Sequence, residues 1–385
     1  MSKKEQAYKG FEQGPIRPPS EADSLLIRVT RNCPWNRCTF CPVYKGSRFS
    51  LRPVDHVMQD IDLVHEHLGN LLQKAEAKGG LTREEVSALA QRVSPGDKPA
   101  FFAALNWYAN GMESIFLQDA NSLVMKPKDL IAVLKHIRKR FPFVKRITSY
   151  ARSHTVSRIS DEDLAEMAAA GLNRIHIGME SASDKVLEQV RKGSTKADHV
   201  KAGQKVKRAG IQLSEYVMPG LGGKELSEEH ATETADALNQ IDPDFIRLRS
   251  LAIPPNTPLF EEYQQGEFHP LKDVEAAEEI LLFLESLSGI HSTVKSDHIL
   301  NLFEEVEGKL PEDKQAMESV VRRFLDMDPE RRTLYQVGRR IGVFRRLSDM
   351  ENPFQADQAK QVMDKLSITP DNVDETIRTL MQRFV

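Results

Sequence analysis

Cysteine is nearly absent from this sequence: three residues in 385, all between positions 33 and 41. An odd, crowded trio argues against a disulfide framework and for thiols that share one centre. Long apolar runs are missing as well, and no stretch approaches the roughly 20 residues that span a bilayer. The polar segment Met1 to Ser20 lacks the apolar core of a secretory signal. It reads as a flexible arm (1–22) on a cytoplasmic protein. Nor is there a surplus of one charge. With 53 Lys and Arg against 56 Asp and Glu, the net charge is −3. Composition therefore supplies no basic field for a phosphate backbone and gives nucleic acid no support as a partner.

What is present has a plain order. Ser24 to Thr30 is a β-prone run that ends in the polar loop 31–50. Val54, Val57, Ile61, Val64 and Leu68 then recur at three- and four-residue spacing, which predicts an amphipathic helix. Gly79-Gly80 and Ser94-Pro95-Gly96 divide the region 53–110 into about three helices. Short strands follow at 114–117, 146–150, 174–178, 212–218 and 245–250. Helices are expected between them near 127–140, 160–170, 183–191, 196–209 and 226–239. Ala170-Gly171 and Ala209-Gly210 suit helix C-caps. Strands alternating with helices imply parallel pairing through right-handed crossovers. Six such strands suit an α/β fold, either an open sheet or a partial (βα)6 TIM-like barrel. Residues 273–385 read as mostly helical, with a terminal hairpin after Asn352.

Cys33-Pro-Trp-Asn-Arg-Cys38-Thr-Phe-Cys41 places three soft ligands in one loop after the first strand. Iron–sulfur cubanes usually take four thiolates, so three would leave one iron open for reaction. A structural zinc completed by a histidine is the alternative; His56 is the nearest downstream candidate. The stretch Gly178-Met-Glu180-Ser-Ala-Ser-Asp184, continuing to Lys192-Gly193, puts a carboxylate just beyond a strand, among small residues.

The loop resembles that of the radical S-adenosylmethionine (SAM) superfamily, Cys-x₃-Cys-x₂-Cys with an aromatic residue before the third cysteine. Phe40 stands in that aromatic position. The departure is one extra residue between Cys33 and Cys38. Glu180 and Lys192 resemble a motif of the branch containing oxygen-independent coproporphyrinogen oxidases, methylthiotransferases and anaerobic cyclases.

The resemblance implies a core barrel over 23–272 with a helical insertion at 53–110 and a helical region over 273–385. It implies one [4Fe-4S] cluster on the three cysteines and SAM as co-substrate. SAM would be cleaved to a deoxyadenosyl radical that takes hydrogen from a small organic or tetrapyrrole-like substrate. An electron donor such as flavodoxin or ferredoxin is implied too. Gln118, Asp119 and Asn121, at a strand's carboxyl end, are then expected at the methionine amino group. Glu180 is expected at SAM, Lys192 at its carboxylate, and Met218 with the turn Pro219 to Gly223 at the adenine. Tyr150, Arg152, Arg247, Arg249 and His298 are candidates for substrate contact, with Asp297 and His298 as an acid/base pair. The alternative from another class is a non-catalytic binding or accessory protein stabilised by zinc or a cluster.

Overall fold

The computed structural model describes residues 7–381. They fall into two compact units, one of residues 7–34, 43–176 and 208–212 and the other of 35–42, 177–207 and 213–381. Among the described residues no helix is long and apolar enough to cross a membrane.

In the first unit, strand β1 (Leu25–Arg28) pairs in parallel with β4 (Ser114–Gln118), and β4 with β5 (Arg146–Ala151). A two-stranded antiparallel ribbon, β2 (Thr30–Arg31) with β3 (Ser50–Leu51), brackets the loop that carries the cysteines. The expected helical insertion is α1 (Val54–Lys78), α2 (Arg83–Arg92) and α3 (Lys98–Ala109). The stripe Val57, Ile61, Val64, Leu68 and Leu71 on α1 is buried. Burial of each such side chain stabilises by about 1.5–3 kcal/mol. The second helix starts with a reciprocal cap between Thr82 and Glu85 and buries nothing. Helices α4 (Pro127–Arg140), α5 (Ser153–Val156) and α6 (Asp161–Ala169) follow. Strand β6 (Arg174–Glu180) begins in the first unit and ends in the second.

The second unit continues with α7 (Asp184–Gln189), α8 (Lys196–Arg208), β7 (Gln212–Val217), α9 (Ser227–Ile241) and β8 (Phe245–Leu248). Helices α10 (Pro258–Gln264) and α11 (Asp273–Ser286) lead to β9 (Thr293–Lys295). Strands β7, β8 and β9 are parallel neighbours, and β10 (Gly308–Lys309) closes antiparallel on β9. The chain ends in α12 (Lys314–Leu325), α13 (Pro329–Arg340) and the hairpin α14 (Pro353–Leu366) with α15 (Val373–Met381).

The α/β class and the βα order are as the sequence predicts, with two corrections. The region after 273 is not only helical: α11 and β9 add a further parallel βα step, and 296–307 forms irregular loop. Residues 7–22 are not a free arm. Phe11 and Glu21 are buried, Tyr8 donates to Asp60 (2.7 Å), and Glu12 pairs with Arg31 (2.6 Å). Residues 1–6 of that segment lie outside the described residues.

Candidate functional site

The approach to the cysteine loop is set in the first unit by Asp119, a fully buried carboxylate just beyond β4. It accepts three hydrogen bonds: from Arg28 Nε (2.8 Å), from the backbone N–H of Asn32 (3.0 Å) and from the Tyr44 hydroxyl (3.0 Å). Burial and the Asp119 charge push the Tyr44 hydroxyl well above its ordinary range. Asn32 sits in the left-handed region (φ 68°), immediately before Cys33. Asp119 thus orients the backbone that delivers the first thiol, rather than offering its oxygens outward.

The neighbours of Asp119 are similarly committed. Gln118 accepts from the Gly14 N–H (2.8 Å) and donates to the carbonyls of Gly14 (3.1 Å) and Ile16 (2.7 Å). Asn121 donates to Thr155 Oγ1 (2.8 Å) and accepts from the Arg152 N–H (3.2 Å). The expectation that these three side chains hold an amino group is corrected: their polar atoms are used to fix the segment 14–16, the loop entry and the end of β5. Tyr150, also at the end of β5, packs edge-on against Phe116 and tilts over His176.

In the second unit the loop's other half is stapled from both sides. The Thr39 N–H donates to the Val190 carbonyl (3.0 Å), and the Thr39 carbonyl accepts from Leu259 (3.1 Å). Phe40 is buried with Val186, Val190, Met218, Leu221, Leu259 and Phe268, and Cys38 and Cys41 pack against that cluster. Trp35 explains how the longer spacer is held. Its indole N–H donates to the Arg191 carbonyl (2.7 Å), and its ring occupies the space beside Gly193. A Cβ on Gly193 would lie 2.3 Å from that ring, and Gly193 is left-handed (φ 67°). Asn36, also left-handed (φ 48°), turns the chain back. None of the three cysteines is in a disulfide.

Glu180 ends β6 with φ 65°, a conformation that costs a non-glycine residue free energy and clusters at functional sites. Its carboxylate meets Lys192 Nζ at 3.2 Å, and Lys192 also lies 5.7 Å from the centre of the Phe40 ring. A Cβ on Gly178 would stand 2.4 Å from Glu180 Oε1, so the glycine makes room for the pair. The Met218 N–H donates to the Glu180 carbonyl (2.9 Å). The second unit thus brings together Phe40, Glu180, Lys192 and Met218, four of the residues expected at the cofactor.

Sequence reasoning missed Glu215 on β7. It is 0% exposed, and neither carboxylate oxygen has a hydrogen-bond partner. Burial first, then the nearby Glu180 charge, raises its pKa well above the ordinary value. A lone acidic residue inside the run Gln212–Val217 was the available signal. Arg28 and Tyr44 gave no signal, because their partner lies far along the chain.

The candidates at the end of β8 have local partners. Arg247 pairs with Asp297 and donates to Ser214 Oγ (3.2 Å). Asp297 is therefore taken by an arginine, and His298 accepts instead from the Leu300 N–H (3.4 Å). Burial and then the Arg249 charge bring His298 down to about 4, so the ring is neutral. This corrects the expected Asp297–His298 acid/base pair. Arg249 is exposed beyond β8. The turn after β7 is tied to protein too: Gly220 N–H donates to the buried Glu279 (2.6 Å).

Parallel strands joined by helices, with the first strand leading into a three-cysteine loop, define an α/β protein. The sequence pattern of the Radical SAM superfamily matches residues 101–238. The chain is 21% identical over 279 residues to the tRNA uridine(34) acetyltransferase of Methanocaldococcus jannaschii, covering 69% of this chain and 49% of that protein. It is 24% identical over 184 residues to the heme chaperone HemW of Bacillus subtilis, covering 47% and 48%. Among solved structures, coproporphyrinogen III oxidase (HemN) from Escherichia coli gives a TM-score of 0.43 at 14% identity, covering 68% of this chain and 52% of that one. The chain spans about half the length of these curated relatives. The match to the radical SAM pattern runs from α3 to α9 and leaves the cysteine loop and the region after 238 outside it.

Proposed function

We propose that this chain is a radical SAM enzyme whose cluster is held by Cys33, Cys38 and Cys41. The observation that carries this reading is the loop itself: three thiols outside any disulfide in nine residues, two of them packed on an apolar cluster beside the Glu180–Lys192 pair. Soft thiolates in an apolar surround suit an iron–sulfur centre. Among the described residues no three Cys, His, Asp or Glu side chains are set as ligands of a single ion. A cubane gives each thiolate its own iron, so its ligands do not need to converge as those of one zinc must. When bound, the cluster supplies the electron that cleaves SAM to a deoxyadenosyl radical.

The protein's own residues do the positioning. Glu180 and Lys192 neutralise one another here. A zwitterionic methionine end exchanges that pair for two, its ammonium on Glu180 and its carboxylate on Lys192. Met218 stands beside them through its bond to the Glu180 backbone. Asp119 acts on the loop through Asn32 and takes no part in holding the ligand. The reading extends to a cytoplasmic setting, a flavodoxin- or ferredoxin-like electron donor, and a small organic substrate. The net charge of −3 supports the last point over a polyanion.

Anaerobic reconstitution with iron and sulfide, followed by dithionite and SAM, tests it. The expected result is a brown protein that releases deoxyadenosine. Release should fall at least about tenfold in Glu180→Gln, a loss of about 1.4 kcal/mol or more of transition-state stabilisation. A colourless protein, or a cluster without SAM cleavage, would favour an accessory role.

A further inference from the structure

We propose that a cavity in the second unit binds a small aromatic acid, its ring in an apolar chamber and its carboxylate on Arg378. The cavity, about 120 Å³, lies among the loops after β7 and β8 and helices α10, α11, α13 and α15. A pocket of roughly 150 Å³ lined by apolar side chains takes a benzene ring, so this one is sized for a single ring. Leu251, Ile253, Phe260, Tyr263, Ile280 and Ile377 form the apolar walls.

Charge selects the ligand's sign. Five charged residues line the cavity: Lys272, Arg340 and Arg378 against Asp273 and Asp374. Lys272 pairs with Asp374 at 2.9 Å, and Arg340 with Asp273 at 2.6 Å. Arg378 is left over. It hydrogen-bonds to the Tyr263 hydroxyl and lies over that ring (5.1 Å), and among the described residues it meets no carboxylate. Arg340 is a second sign of a built site, because its side chain is 5% exposed and its buried Nε has no hydrogen-bond partner. The surplus is one positive charge beside a tyrosine ring, at the mouth of an apolar chamber. A planar guanidinium suits a carboxylate in two-point contact.

The cavity is joined to the candidate site by shared packing. Leu251, Ile253 and Tyr263, which wall it, also pack on the apolar cluster that Cys38 and Cys41 touch. The binding claim does not depend on the cluster being iron–sulfur, and its test needs no cofactor.

Isothermal titration of the full chain, with no cluster loaded, against 3-phenylpropionate and its uncharged analogue 3-phenylpropanol tests it. The acid should bind about three- to fivefold more tightly than the alcohol, the worth of one charge pair to the exposed Arg378. Arg378→Gln should bring the acid to the alcohol's affinity. Ala276→Phe fills the chamber and should weaken both; Ala252→Phe does so from another wall, should the first variant fold poorly. A chain ended after Met381 should bind as the full chain does. Equal binding of acid and alcohol, binding unmoved by either phenylalanine, or binding seen only in the shortened chain would each overturn the proposal.

Discussion

Replacing Glu215 by methionine should stabilise the protein, and the gain should grow with pH. The residue has no solvent exposure and both of its oxygens are unpartnered. Exchanging an unsatisfied buried polar group for an apolar one of similar length removes a penalty of about 1–3 kcal/mol. The pH term adds to this. The folded-state pKa is raised above the value of 4.5 taken for an unperturbed glutamate. Above pH 4.5 the unfolded chain therefore releases a proton that the folded chain retains. Wild-type stability is complete below that pH and is lost as pH rises toward the folded pKa, at about 1.4 kcal/mol per pH unit. For a unit of about two hundred residues that is roughly 3–5 °C in Tm per pH unit. Differential scanning calorimetry of wild type and Glu215→Met from pH 5 to 8 reads the difference directly, and titrations common to both proteins cancel. Glu215→Gln, neutral throughout, should show the same widening with pH at a lower absolute stability. Parallel curves for wild type and Glu215→Met would refute the reasoning, because they would mean an ordinary carboxylate.

Two further substitutions test how the loop is held. Gly193→Ala places a methyl against the Trp35 ring in a left-handed backbone position; it should cost at least about 1–2 kcal/mol and red-shift the Trp35 fluorescence as the indole leaves Arg191. An unchanged spectrum and melting curve would remove Trp35 as the anchor of the longer spacer. Asp119→Ala takes from Arg28 its nearest carboxylate, leaving Glu12 at 3.8 Å, and leaves the Tyr44 hydroxyl without its acceptor; it should cost about 1–3 kcal/mol in urea unfolding, whereas a ligand-binding role alone would leave stability near that of wild type.

The features of the fold that were legible in the sequence are those set by local period. The α1 stripe repeats at 3.6 residues, and each expected strand from 114 to 250 is a short β-prone segment set between helical patterns. Strand β9 was not legible, because three residues, Thr293 to Lys295, carry no period and are recruited by pairing with β8. In the candidate site, Glu180 and Lys192 were singled out by their resemblance to a family motif, and the short chain between them brings the two into contact. Asp119 was misread for the opposite reason. An aspartate after a strand has the same letter whether it faces a ligand or accepts from Arg28 and Tyr44, and those partners are remote in sequence. The segment 7–22 looked free because its anchors, Phe11 and Glu21, are isolated among polar residues. Asp297 beside His298 suggested proton transfer until Arg247, fifty positions earlier, took the carboxylate.

The measurement closest to the central claim is the iron content and electron paramagnetic resonance of the anaerobically reconstituted, dithionite-reduced chain, with and without SAM, in wild type and in single alanine variants of Cys33, Cys38 and Cys41. Four irons per chain, a reduced-cluster signal that SAM alters, and loss of both in each variant are the predicted result. A signal indifferent to SAM, or a cluster that survives removal of any one of the three thiols, would contradict it.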